Sequence, residues 1–166
     1  KIPDAQIIAE DLGHITDDVK DLIAEFNLPK MKVLHFAFGD DSGKNSYLPH
    51  NHTPNSLVYT GTHDNNTTKG WFENELGKGQ KKFLSEYTGQ NINSKNVCDI
   101  LIRTAMKSVS KISIILVQDM LSLGQTARMN TPSKSSGNWR WRLDSLKKLE
   151  NNGDRLARLT QIYGRS

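Results

Sequence analysis

Three short apolar runs in this chain end at acids, and the position of those acids is its most informative feature. The run at residues 6–9 ends in Glu10-Asp11. The run at 57–60 leads through Gly61-Thr62-His63 into Asp64. The run at 112–117 ends in Gln118-Asp119. In a parallel sheet or barrel, the C-terminal ends of the strands open on one face, and that face carries the site. Several carboxylates would then share a rim. Paired carboxylates suit the chemistry of glycosidic bonds, where one protonates the leaving oxygen and another attacks or stabilises the sugar cation. Taken singly, each acid could equally begin a loop or cap a helix; Asp11 reads as a helix or turn residue.

The segment His63-Asp64-Asn65 is more distinctive. Such a polar turn can hydrogen-bond adjacent sugar hydroxyls, with Trp71 nearby as an aromatic platform, or it can be an ordinary Asx-type turn. His50, His52 and His63 lack an obvious set of metal ligands at this spacing, so neither a metal nor a cofactor is expected. His14 and His35 have no partner visible in sequence. Cys98 lies on a helix face and reads as core packing. No phosphate loop, dinucleotide fingerprint or serine-hydrolase elbow is present.

The elements that would position these residues follow from periodicity. Strand candidates are residues 6–9, 31–38, 57–60 and 112–117; the last, rich in β-branched residues, fits a strand buried on both faces. Thr16 can cap a helix that opens with Asp17 and Asp18, carries Val19, Leu22, Ile23 and Phe26, and stops before Pro29. A second helix starts near Ser94 with Val97, Ile100, Leu101 and Ala105 on one face. A helical pair lies between Lys69 and Tyr87, broken by Gly77 and Gly79. Strands alternating with helices predict an α/β fold with a parallel sheet. Residues 40–55 and 124–137 read as long polar loops, and 143–163 as C-terminal helices.

The 166 residues, with 36% hydrophobic and 24% charged side chains and a mean hydropathy of -0.59, are those of about one globular domain. No apolar run is long enough to span a bilayer, so no membrane partner is expected. There is no signal peptide and one cysteine, and cytoplasm is the expected location. The chain opens on Lys1 without an initiator Met, which suggests a cut or processed end. The net charge of +4 is uneven. Residues 128–166 hold nine Lys/Arg against three Asp/Glu, a net of +6, and residues 1–127 are slightly acidic. A basic tail can bind nucleic acid, but here the cations are spaced among Leu149, Leu156, Leu159 and Ile162, as on the solvated face of an amphipathic helix. The alternation Trp139-Arg140-Trp141-Arg142 could stack bases, pack on a core or bind a sugar.

Together the motifs resemble a known family. Ile8-Ala9-Glu10-Asp11-Leu12-Gly13 with Ile15-Thr16 is similar to the acid/base segment of the 4-α-glucanotransferases, the amylomaltases and plant disproportionating enzymes. The resemblance continues through residues 31–38, through Val58-Tyr59-Thr60-Gly61-Thr62-His63-Asp64-Asn65, and through Gly70-Trp71. It resumes at Gln118-Asp119, Leu123-Gly124, Ala127-Arg128-Met129-Asn130-Thr131-Pro132 and Gly137-Asn138-Trp139-Arg140-Trp141-Arg142. The blocks run in the family's order over nearly the whole chain.

The resemblance implies a (β/α)8 TIM barrel that transfers α-1,4-glucan segments between maltooligosaccharides by a retaining double displacement. Glu10 would be the general acid/base and Asp64 the transition-state stabiliser. His63, Asn65, Phe36, Asp40, Arg128 and Asn130 would contact substrate, with a substrate loop at about 122–136. The family's nucleophile, an Asp in an Arg-x-Asp-His segment, has no match; Arg142-Leu143-Asp144 is followed by Ser145 and lies in the tail. The chain therefore reads as the C-terminal half of the barrel, from about the fifth to the eighth strand, incomplete and inactive alone. Its upstream half would supply the nucleophile, and exposed barrel edges could pair two copies as a homodimer. An α-amylase-type hydrolase fragment is the alternative within the same chemistry, and a basic nucleic-acid-binding module the alternative outside it. Four positions depart from the family's usual residues: Lys30 for Gly, His35 for Gln, Asn66 for Asp and Ser133 for Gly.

Overall fold

A computed structural model of the chain describes residues 7–39 and 42–165. Helix α1, Asp17–Glu25, begins after Thr16 with two acids in its first turn, as expected of residues that favour a helix N-terminus. Strand β1, Lys30–Val33, and strand β2, Ser56–Tyr59, pair in parallel, Met31 opposite Leu57 and Val33 opposite Tyr59. Helices α2, Thr68–Asn74, α3, Lys78–Thr88, and α4, Val97–Met106, follow in succession. Strand β3, Ile112–Ile114, then pairs in parallel with β2, Leu57 opposite Ile112. The short helix α5, Val117–Met120, and the long helix α6, Lys147–Ile162, complete the fold. This is an α/β arrangement on a parallel sheet of order β1-β2-β3.

The strands are shorter than the apolar runs. Residues 31–38 were expected as one strand, but after Val33 the backbone turns into a 3-10 helix at Leu34–Phe36. Leu34, His35, Ala37 and Phe38 are all buried, so the run is apolar because it enters the core as a turn. A continuous apolar stretch has no period that separates the two cases. Residues 112–117 give a three-residue strand, and Val117 already begins α5. The expectation that this strand is buried on both faces does not hold: Ile112 is 41% exposed and Ile114 half-buried, because β3 is the edge of the sheet. At 7–9 no strand forms, although Ala9 N–H donates to the Pro29 carbonyl at 3.3 Å and Met31 N–H to Asp11 Oδ1 at 2.8 Å. Those two bonds run this segment alongside β1; Asp11, expected as a helix or turn residue, lies in neither and instead accepts from the β1 amide at Met31. Of residues 143–163, expected as helices, 147–162 form one helix, α6.

The core lies between the sheet and α2–α4. Phe38, Leu48, Trp71, Phe72, Leu84, Val97 and Leu101 build it, with the Phe38 and Tyr87 rings edge-on at 5.7 Å. Val97, Ile100, Leu101 and Ala105 all face it, as their spacing predicts. Cys98 is also buried there, and burial pushes its thiol up to about 12, far from nucleophilic reactivity. By contrast, α1 buries only Ile23. Val19, Leu22 and Phe26, expected on its inner face, are 38%, 51% and 63% exposed.

Candidate active site

A cavity of about 440 Å³ opens at the C-terminal ends of β2 and β3. Glu10 enters it from the segment beside β1, Met31 and Tyr59 from the strands, and Gly61, Thr62, His63 and Asp64 from the turn after β2. Glu10 and Asp64, distant in sequence, thus line one space. Burial, and then the negative charge of Glu10, raise the Tyr59 hydroxyl above its ordinary range.

The turn that carries Asp64 is held from several sides. Asn65 Oδ1 accepts from both the Thr62 amide at 2.8 Å and the Thr62 hydroxyl at 2.9 Å, a closure that runs back to a residue three positions earlier, the reverse of an Asx turn. Gly61 lies flat on the His35 ring, and a Cβ built there would sit 2.7 Å from His35 Cε1. His35 in turn stacks on Trp71, centroids 4.5 Å apart. Trp71 is therefore a core residue beneath the turn and no sugar platform.

The Asp64 carboxylate has a set geometry. Asn130 Nδ2 donates to Asp64 Oδ1 at 2.5 Å, and His63 Nε2 lies 3.4 Å from the same oxygen. Arg128 supports the arrangement through its guanidinium, which donates to the Asp64 carbonyl at 2.7 Å and to the Asn130 carbonyl at 2.7 Å and reaches Glu75 at 3.4 Å. The Asn130 amide donates to the His63 carbonyl at 3.1 Å. So His63, Asp64, Arg128 and Asn130, all named from sequence, come together, and Arg128 acts through the backbone more than it faces open space.

One named residue does not join them. Phe36 is 39% exposed and turns its ring edge-on to Tyr47 at 5.4 Å, away from the cavity lining. The 3-10 turn after β1 carries it outward. Asp40 lies outside the described residues.

Trp139, Tyr59 and Met31 were not named as site residues. Trp139 sits 5.1 Å from the His63 ring and stays 53% exposed. Its amide donates to the Met129 carbonyl at 2.7 Å, and Asn138 bridges Thr131 and Lys134 to close the intervening loop. The signal was present in the Trp-Arg alternation, but only loop closure says which ring meets His63. Tyr59 ends a strand run, and its last inward position was the available clue.

The remaining histidines are engaged elsewhere. His50 Nδ1 meets the Tyr87 hydroxyl at 3.0 Å, and His52 Nδ1 meets Ser108 Oγ at 2.7 Å. Among the described residues no cluster of His, Cys, Asp or Glu could hold a metal. The basic tail is similarly occupied. Lys148 pairs with Asp144, Arg155 with Asp99, and Arg165 donates to the carbonyls of Ala105, Met106, Ser108 and Ser110. No helix among the described residues is long and apolar enough to cross a membrane.

Residues 1–148 match the protein family described as 4-alpha-glucanotransferase. The chloroplastic/amyloplastic 4-alpha-glucanotransferase of Solanum tuberosum is 45% identical over 162 residues, covering 96% of this chain and 28% of the relative. The 4-alpha-glucanotransferase of Aquifex aeolicus is 45% identical over 165 residues, covering 98% of this chain and 33% of the relative. Among solved structures, the amylomaltase of Streptococcus agalactiae in complex with acarbose superposes with a TM-score of 0.87 at 38% identity, over 95% of this chain and 31% of that one. The chain spans about a third of the length of these relatives.

Proposed function

Because this chain belongs to the 4-alpha-glucanotransferase family, we propose that it is the C-terminal half of that enzyme's (β/α)8 barrel and transfers α-1,4-glucan segments between maltooligosaccharides once its upstream part is present. The observation that carries the reading is the meeting of Glu10 and Asp64 in one cavity at the strand ends.

In the proposed reaction a carboxylate from the upstream part attacks the anomeric carbon. Glu10 gives its proton to the departing glucan oxygen, and a covalent glycosyl-enzyme forms. Glu10, now ionised, takes the proton of an incoming 4-hydroxyl, which receives the chain. Asp64, oriented by Asn130 and Arg128, accepts hydrogen bonds from ring hydroxyls that strengthen as positive charge grows on the sugar. His63 and Trp139 offer a donor and an apolar face beside it. No cofactor or metal has a part in these steps. A cytoplasmic location belongs to the same proposal and rests on the single cysteine of the sequence.

The test joins this chain to the N-terminal two-thirds of the Aquifex aeolicus relative and supplies maltotriose. Release of glucose together with longer oligosaccharides supports transfer; reducing ends without longer products would favour the hydrolase reading. Glu10→Gln is expected to lower maltotriose turnover by about a hundredfold or more. It should spare the first displacement on α-maltosyl fluoride, whose leaving group needs no proton. The 166 residues alone are expected to turn over neither substrate, and activity there would refute an external nucleophile.

A further inference from the structure

Beneath the sugar-facing turn lies a carboxylate that this chemistry does not use. We propose that Asp119 is a positioning residue: it clamps Thr60 to Thr68 and thereby fixes both ends of the segment that carries His63 and Asp64. The inference rests on the reading of that segment as the sugar site.

Asp119 is completely buried on α5. Its Oδ2 accepts from the Thr60 hydroxyl at 2.6 Å and from the Thr68 hydroxyl at 2.8 Å, and its Oδ1 accepts from the Thr68 amide at 2.8 Å. Thr60 immediately precedes Gly61, and Thr68 is the first residue of α2. One carboxylate therefore spans residues 61–67. The proton order extends further. Thr68 spends its only hydroxyl proton on Asp119, so its oxygen must accept from His35 Nε2, 3.0 Å away. This sets His35 as the Nε2–H tautomer and leaves its buried Nδ1 without a partner, the state in which the ring packs against Gly61. A buried carboxylate held by neutral donors is an expensive way to fill a core, since apolar groups of the same volume would serve packing as well. What it provides is direction: three bonds that place two threonines at set distances.

Thr60→Val keeps volume and removes the Thr60 arm of the clamp, Asp119→Asn keeps volume and replaces an accepting oxygen by a donating amide, while Thr60→Ser keeps the hydroxyl. In the chimeric enzyme the first two should lower kcat for maltotriose about tenfold or more with little change in KM, because a displaced Asp64 is felt mainly in the transition state. Thr60→Ser should stay near the unsubstituted enzyme. In the 166-residue chain, amide exchange should accelerate at Thr62 and Asn65, whose bonds close the turn, and stay slow at Leu101 in α4. In Asp119→Asn the side-chain amide must donate to Thr68, which then donates to His35, so the imidazole nitrogen resonances should report a switch to Nδ1–H. Unchanged kcat in folded Thr60→Val, or exchange accelerated equally at Thr62 and Leu101, would overturn the proposal. If Asp119→Asn does not fold, Thr60→Val decides. A chimera that transfers no glucan even without substitution would refute the functional reading, and the exchange pattern would still decide the clamp.

Discussion

Protonating His35 would put a cation into a site 5% exposed, stacked on Trp71 and facing Arg128 across the turn. Burial, then the charge of Arg128, push its pKa down to about 3, from an ordinary value near 6.5. Unfolded chains bind the proton first, so this contribution to stability is fully present above pH 6.5 and is lost as pH falls toward 3. Asp119 acts in the opposite sense, because burial raises its pKa, and protonation in acid favours the folded form. Gln, which the resemblance implies at position 35, carries no such proton. Between pH 7 and pH 5 the unfolding free energy of the chain should fall by about 2 kcal/mol more than that of His35→Gln, measured by urea titration at both pH values. A second residue-scale outcome concerns Ser133, which holds φ at +68°, where the resemblance implies Gly. Ser133→Gly relieves the left-handed strain but adds freedom to the unfolded chain, so a net gain of about 0.5 kcal/mol is expected in the same titration.

At the scale of elements, the end of α4 depends on one side chain. Arg165 donates to the Ala105 and Met106 carbonyls at the helix terminus and to Ser108 and Ser110 in the link to β3. Arg165→Ala leaves those acceptors partly buried and unmet, and should cost about 2–4 kcal/mol, read as a lower thermal midpoint with α4 and β3 losing exchange protection first. Nothing in the amino-acid order marks Arg165 for this work, because its partners lie some sixty positions earlier. What local order does mark was readable. The apolar spacing of α4 predicts its inward face, Gly77 separates α2 from α3, and Asn65 closes its own turn within three residues. Gly79 was expected to break the same region and instead lies inside α3, since an exposed glycine weakens a helix without ending it. The run at 31–38 misleads because burial alone does not distinguish strand from turn. The shared rim of Glu10 and Asp64 was readable from acids that follow apolar runs, the addition of Arg128 and Asn130 only through resemblance, and the clamp on Asp119 was not readable at all, because hydroxyls of threonine carry no pattern.

At the scale of the whole molecule, the sheet has two uncovered flanks among the described residues. On one side α1 presents Val19, Leu22 and Phe26; on the other, Val109 is 58% exposed and Ile112 41%, beside a groove of about 770 Å³ between β3 and α6. Apolar surface of this kind invites association. In sedimentation velocity the isolated chain should therefore show a concentration-dependent shift toward dimer, reduced by Phe26→Asp combined with Ile112→Lys and abolished when the upstream part is joined. The order of the strands bears on how such a chain reaches its native state at all. Leu57 finds Ile112 only after three helices have been laid down between them, so β2–β3 pairing closes a longer loop than the packing of α2 on α4 does. On loop length alone the helices are expected to pack before β3 docks. On a ribosome, β2 would spend the synthesis of those helices with one side bare, and that interval is when the nascent chain most needs a chaperone's cover.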